Sequence, residues 1–234
     1  MSRRTQRQVT KQRKKQQQRQ MMIIGSIIVG TVILAVAAIY LLRPKDAPMP
    51  DGVKEKYAGI TQSVDDDGVG HLGEPDAPNV VREFSSFMCP HCKELHEDAM
   101  DEVVEMVRAG DVRIEFVPIS QIGGPGSEEG AKAAICAGEQ GKFWEMHDIL
   151  FYWQDRVSIT KSRIDTAIKE LGLDKDDFND CYNSGDARQQ ARRGYDELTS
   201  LSESPGTPTM LLNGLLQANP YNIVAALTEL GAGQ

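Results

Sequence analysis

Cys89-Pro90-His91-Cys92 places two thiols two residues apart where an apolar run gives way to a helical pattern. Cysteines at that spacing at a helix start suit thiol–disulfide exchange. The first sulfur lies near backbone N–H groups that have no helical partner, and the helix dipole favours negative charge there. The thiolate is the nucleophile, so Cys89 is the expected attacking sulfur. Cys92, about one turn on, is the expected resolving sulfur, closing or opening a disulfide with Cys89. Protonated, His91 offers a positive charge beside the thiolate; neutral, it still donates one hydrogen bond. A stabilised Cys89 thiolate favours the dithiol state, which makes the disulfide state the stronger oxidant.

The elements that must hold this motif can be read from periodicity. Val80 to Phe87 is an apolar, β-branched run, expected to be a strand. Cys92, Leu95, Ala99 and Val103 recur at helical spacing, with Gly110 as a stop. Val112, Ile114 and Phe116 alternate with Arg113 and Glu115, a second strand. Strand, helix, strand is a βαβ unit with a right-handed parallel crossover. Helical patterns then fill residues 124–204. Thr209 to Leu212 and Leu215 to Gln217 flank Asn213-Gly214, a strong hairpin signal. Asn219 and Pro220 precede a last amphipathic helix. The expected fold class is therefore α/β, with βαβ and ββα halves separated by a helical insertion. The aromatic cluster of Phe143, Trp144, Phe151, Tyr152 and Trp153 reads for the most part as packing of that insertion, with a substrate groove as the alternative.

Two further cysteines, Cys136 and Cys181, fall on separate expected helices of the insertion. A zinc site made from Cys89 and Cys92 needs a second ligand pair, and neither of these cysteines has a partner at metal spacing. No metal is expected. A structural disulfide between Cys136 and Cys181 is favoured; a second redox pair or two buried thiols are the alternatives. Closing the roughly 44-residue loop would stabilise by about 4 kcal/mol as an upper figure.

The first 42 of the 234 residues are of another kind. Residues 1–20 form a basic tail with eight Lys/Arg and no acid, and Met21 to Leu42 runs 22 residues without charge. That run spans roughly 33 Å as a helix, enough for a bilayer core. A cleaved signal peptide is the competing reading, but its apolar core is usually shorter. Retained, the run is a transmembrane anchor with the N-terminus cytoplasmic and everything after Leu42 outside, in the periplasm or at the outer face. The net charge is −8, which leaves −16 once the tail is set aside. That acidity argues against nucleic acid as a partner. Residues 43–78 are rich in Pro, Gly and Asp and lack an apolar period, so they read as a linker to a domain at 79–234.

The order of these elements resembles the DsbA-like branch of bacterial thiol–disulfide oxidoreductases, in the thioredoxin superfamily. Four segments carry the likeness: Phe87-Met88-Cys89-Pro90-His91-Cys92, Glu83 six positions before Cys89, Gly206-Thr207-Pro208-Thr209, and Gln140 to Asp148. The resemblance implies a thioredoxin-like fold and an enzyme that oxidises cysteines of reduced exported proteins. It implies a membrane quinone-linked protein as reoxidant, and no bound cofactor. It favours Glu83 as a buried acid exchanging a proton with Cys92, where spacing alone leaves an exposed carboxylate beside Arg82 equally open. It makes Pro208 a cis proline that sets the Thr207 backbone against the sulfurs, where an extended substrate can pair. Thr207 also occurs in isomerase relatives, so isomerase or reductase activity is one alternative. A non-catalytic thioredoxin-like binding module is another.

Overall fold

The computed structural model describes residues 19, 21–38, 47–201 and 206–233. The basic residues 1–18, the end of the expected anchor at 39–42 and the start of the expected linker lie outside the described residues. Met21–Ala38 (α1) is a single apolar helix of mean hydropathy 2.5, long enough to cross a membrane.

The folded unit is built on a six-stranded sheet: β1 (Gln62–Val64), β2 (Gly70–Leu72), β3 (Asn79–Ser85), β4 (Val112–Pro118), β5 (Thr209–Leu212) and β6 (Leu215–Leu216). The spatial order is β1-β2-β4-β3-β5-β6. Only β3 and β4 pair in parallel, joined by α3 (Pro90–Arg108). A short α2 (Val53–Lys56) precedes the sheet. Between β4 and β5 lie α4 (Ser127–Gly138), α5 (Phe143–Trp153), α6 (Lys161–Leu171), α7 (Lys175–Asn183) and α8 (Gly185–Leu201), and α9 (Ile223–Glu229) closes the chain. This is a thioredoxin-like α/β fold with a helical insertion.

The strand period of two decides which side chains do what. Val81 and Glu83 lie on the face of β3 that packs with Leu95 and Met100 of α3. Phe84 lies on the opposite face, in a smaller cluster with Val117, Ile119 and Leu198. Four of the five aromatic positions of α5 are core, with Phe143, Trp144 and Trp153 each 0% exposed, while Tyr152 is half-buried. The β5–β6 turn takes Asn213 at φ 51 and Gly214 at φ 79, the two positive φ values that a two-residue hairpin turn needs.

The linker expected over 43–78 is corrected here. Residues 62–64 and 70–72 are two strands that extend the sheet: β1 pairs with β2, and β2 lies antiparallel to β4. Tyr57 and Leu72 are buried with them. Strands of three residues are too short to show a period, and their support is backbone pairing, β2 to β4 and β1 to β2, which sequence spacing does not register. The turn between them is closed by the Asp65 carboxylate, which accepts the N–H groups of Asp67 at 3.0 Å and Val69 at 2.9 Å. At Gly70 a Cβ would come within 2.2 Å of the Phe143 ring, so this strand admits only glycine where α5 crosses it.

Candidate active site

Cys89 is the N-cap of α3, with extended backbone angles (φ −87°, ψ 119°) and Pro90 in the first turn. Proline fits there because its missing N–H would have had no helical partner. The Cys89 N–H donates to the Ser86 carbonyl at 3.0 Å, which ties the turn to the end of β3. Gln154, the C-cap of α5, closes the turn from the other side. Its Nε2 donates to the carbonyls of Phe87 at 2.9 Å and Cys89 at 3.0 Å. Beside it, Lys93 of α3 pairs with Asp155.

Both active-turn cysteines are free thiols, Cys89 7% exposed and Cys92 fully buried. The Thr207–Pro208 peptide is cis, and the Cys89 thiol donates to the Thr207 carbonyl at 3.3 Å. The Cys92 thiol beside it brings Cys89 down to about 5, with help from the Thr207 side chain and the N–H groups of Cys92 and His91. Those donors outweigh burial, which acts the other way. Burial pushes Cys92 far above an ordinary thiol, and the neighbouring Cys89 adds to this. The two sulfurs therefore divide the labour: Cys89 ionises, and Cys92 keeps a proton.

The His91 ring points to solvent, 74% exposed, with Nδ1 3.5 Å from Glu94 Oε2. Its backbone N–H, rather than its ring, faces the sulfur. Tyr221, just before α9, donates its hydroxyl to the His91 carbonyl at 3.2 Å and so braces the helix start. Glu83 is 4% exposed, and burial raises its carboxyl to about 7. Arg82, its neighbour in sequence, turns to the other face and bonds Glu115 and Glu197. Thus Cys89, Cys92, Thr207 and Pro208 meet in one place, and Glu83 is buried within β3 on the face that packs with α3. A cleft of about 650 Å³ opens beside Met88, lined by Gly126, Glu129, Gln154, Arg156 and Ile159.

Cys136 and Cys181 are joined in a disulfide, Cα–Cα 5.7 Å, which links α4 to α7 inside the insertion. Sequence reasoning missed Gln154, because a glutamine at a helix end carries no motif. It also missed a buried cluster in which His96, His147 and Asp148 bring ligand-type atoms within 4.8 Å of one another. Asp148 Oδ1 accepts from Tyr57 at 2.7 Å and from His147 Nδ1 at 3.1 Å, while Oδ2 faces the Lys56 ammonium at 3.1 Å. Burial lowers both histidines, His96 to about 3, so they are neutral donors. Donors within the chain already satisfy the carboxylate, and a fixed cation stands against it. The group works as core cross-linking rather than as a metal site.

A buried dithiol at a helix start, faced by a cis proline on a βαβ–ββα frame, defines a thioredoxin-like protein. The sequence profile of a thioredoxin family matches residues 66–225, and the chain belongs to that family. It is 28% identical over 202 residues to a probable disulfide bond formation protein D of Bacillus anthracis, covering 83% of this chain and 84% of that one. It is 32% identical over 175 residues to a Na(+)/H(+) antiporter NhaA 3 of Salinispora tropica, of which it spans only 26%. Among solved structures it superposes on MdbA, a thiol-disulfide oxidoreductase of Corynebacterium diphtheriae, at TM-score 0.64 and 19% identity, covering 76% of this chain and 98% of that one. That likeness speaks to the fold.

Proposed function

We propose that this chain is a membrane-tethered thiol:disulfide oxidoreductase whose Cys89–Cys92 disulfide oxidises cysteines of exported proteins. The observation that carries the reading is the unequal treatment of two sulfurs three positions apart, Cys89 held down to about 5 and Cys92 raised far above it. A substrate thiolate attacks Cys89; the Cys89–Cys92 bond breaks and the electron pair passes to Cys92, which takes a proton. A second substrate thiol then attacks the mixed disulfide and releases Cys89 as a stable thiolate. Because the leaving sulfur is stabilised, electron flow into the protein is favoured. Glu83, protonated below about pH 7, supplies the proton for Cys92 and recovers it on reoxidation.

The extended backbone at Thr207 gives a substrate strand its pairing edge, and the cleft beside Met88 receives the chain that flanks the substrate cysteine. The Cys136–Cys181 disulfide is structural, and its presence accords with an oxidising compartment. With α1 as a single-pass anchor and the tail cytoplasmic, the folded unit works outside the cytoplasm, and a membrane quinone-linked protein reoxidises it. The relatives called disulfide bond formation proteins support this reading.

The test is a redox titration of the full chain in detergent against glutathione. The expected potential is more positive than about −200 mV; a value near about −270 mV, the thioredoxin range, would mark a reductase instead.

A further inference from the structure

Ser85 ends β3 with its side chain fully buried, and its Oγ has no hydrogen-bond partner. A hydroxyl in that state is costly to keep, and apolar residues of similar size would fill the site without that cost. Its place explains it. Ser85 and Glu83 are two positions apart on one strand, so their side chains project to the same face. That face lies under α3, where Cys92 is fully buried. The Ser85 hydroxyl is near enough to favour the ionised form of the Glu83 carboxyl and also of the Cys92 sulfur. The adjoining Ser86 N–H favours Cys92 ionisation as well, which sets Cys92 against the very end of the strand. The backbone there is fixed, since the Ser85 carbonyl accepts the Ile119 N–H at 2.8 Å.

We propose that the Ser85 hydroxyl carries the proton between Glu83 and Cys92. The inference rests on the reading of Glu83 given above. When the Cys89–Cys92 bond breaks, Ser85 gives its hydroxyl proton to the Cys92 thiolate and takes the carboxylic proton of Glu83. The products are a Cys92 thiol, a Glu83 carboxylate and an unchanged serine. On reoxidation the proton returns by the same path, Cys92 to Ser85 to Glu83, as Cys92 attacks a mixed disulfide on Cys89. A hydroxyl can do this because it donates and accepts at once. Full hydrogen bonds to either side would hold it in one orientation; an unpartnered hydroxyl is free to turn between the two.

The test isolates this step. The full chain in detergent is loaded on Cys89 with 2-nitro-5-thiobenzoate as a mixed disulfide, and release of the chromophore reports attack by Cys92. In the unmodified chain the rate should rise with pH through about 7, as Glu83 becomes a carboxylate able to accept. Ser85→Ala should slow release at least tenfold and abolish that inflection, while Ser85→Thr keeps both. Glu83→Gln should slow release similarly, and the double variant should be no slower than either single one. Ser85→Ala removes a buried hydroxyl without a hydrogen-bond partner, so it should unfold at or above the temperature of the parent, and a purely structural serine would leave the pH profile intact. A slow Glu83→Gln with a normal Ser85→Ala overturns the relay and leaves Glu83 in its role. A normal Glu83→Gln removes both. Losses that multiply in the double variant also overturn the relay, because the two residues would then act separately.

Discussion

The molecule holds two pairs of cysteines, and they differ in what surrounds them. Cys136 and Cys181 are drawn from two helices of the insertion, 45 positions apart, and joined in a disulfide between elements that pack on each other. Cys89 and Cys92 share one helical turn, so their bond closes almost no loop and constrains almost nothing. What the second pair has instead is asymmetry of environment: backbone donors, Thr207 and a partner thiol around Cys89, and deep burial with Ser85 nearby at Cys92. A disulfide that restricts the unfolded chain stabilises a fold; one that sits across an electrostatic gradient moves electrons.

The sharpest way to break this contrast is to remove one sulfur from each pair. Cys89→Ser should reduce oxidation of a thiol peptide to background, whereas Cys136→Ser should leave the rate per folded molecule unchanged at 25 °C. If both variants lose exchange alike, the division between the pairs is wrong. Equilibrium denaturation reverses the ranking. Cys136→Ser should cost up to about 4 kcal/mol, read as a lower urea midpoint, and Cys89→Ser far less.

Glu83 gives the next largest effect. Its pKa rises from 4.5 unfolded to about 7 folded, so the native state binds the extra proton between those values. Stability therefore falls as pH rises through that window, by up to roughly 3 kcal/mol. Glu83→Gln should recover much of this at pH 8 and none at pH 4, measured by urea titration at both. Cys89 runs the opposite way in the reduced protein. Its lowered pKa contributes stability above the ordinary thiol value of 9.0, lost as pH falls through about 5. The oxidised protein should lack that dependence.

The smallest effect sharpens the Cys89 side alone. Thr207→Val removes the hydroxyl beside the sulfur and should raise the pH at which Cys89 ionises by less than about one unit, followed by thiolate absorbance. A larger rise would move the main support of the thiolate from the helix start to the cis-proline loop.

Much of this was legible in the sequence because it repeats or alternates. β3, α3, β4 and the Asn213-Gly214 hairpin all announce themselves by period or turn chemistry, and the sulfurs by spacing. β1 and β2 were not legible, since six residues with Val64 and Leu72 as their only large apolar side chains owe their place to pairing, β1 with β2 and β2 with β4. Glu83 could be named from a resemblance, yet its burial depended on which way β3 faces and on α3 lying over it. Gln154 and Ser85 gave no signal, because each acts through atoms brought near it by other elements. His91 shows the converse limit: the ring that looked chemically important points outward, and the amide of the same residue does the electrostatic service.

The Gln154 amide, bonded at once to the Phe87 and Cys89 carbonyls, has a further consequence. It ties the helical block and the peptide plane after Cys89 into a single mechanical piece. A homologous block transplanted into this frame without an equivalent side chain at that helix end would fold around a slack turn. Divergence in this part of the chain is thereby yoked to one carboxamide, and exchange of whole insertions between relatives meets a barrier that no core mismatch would reveal.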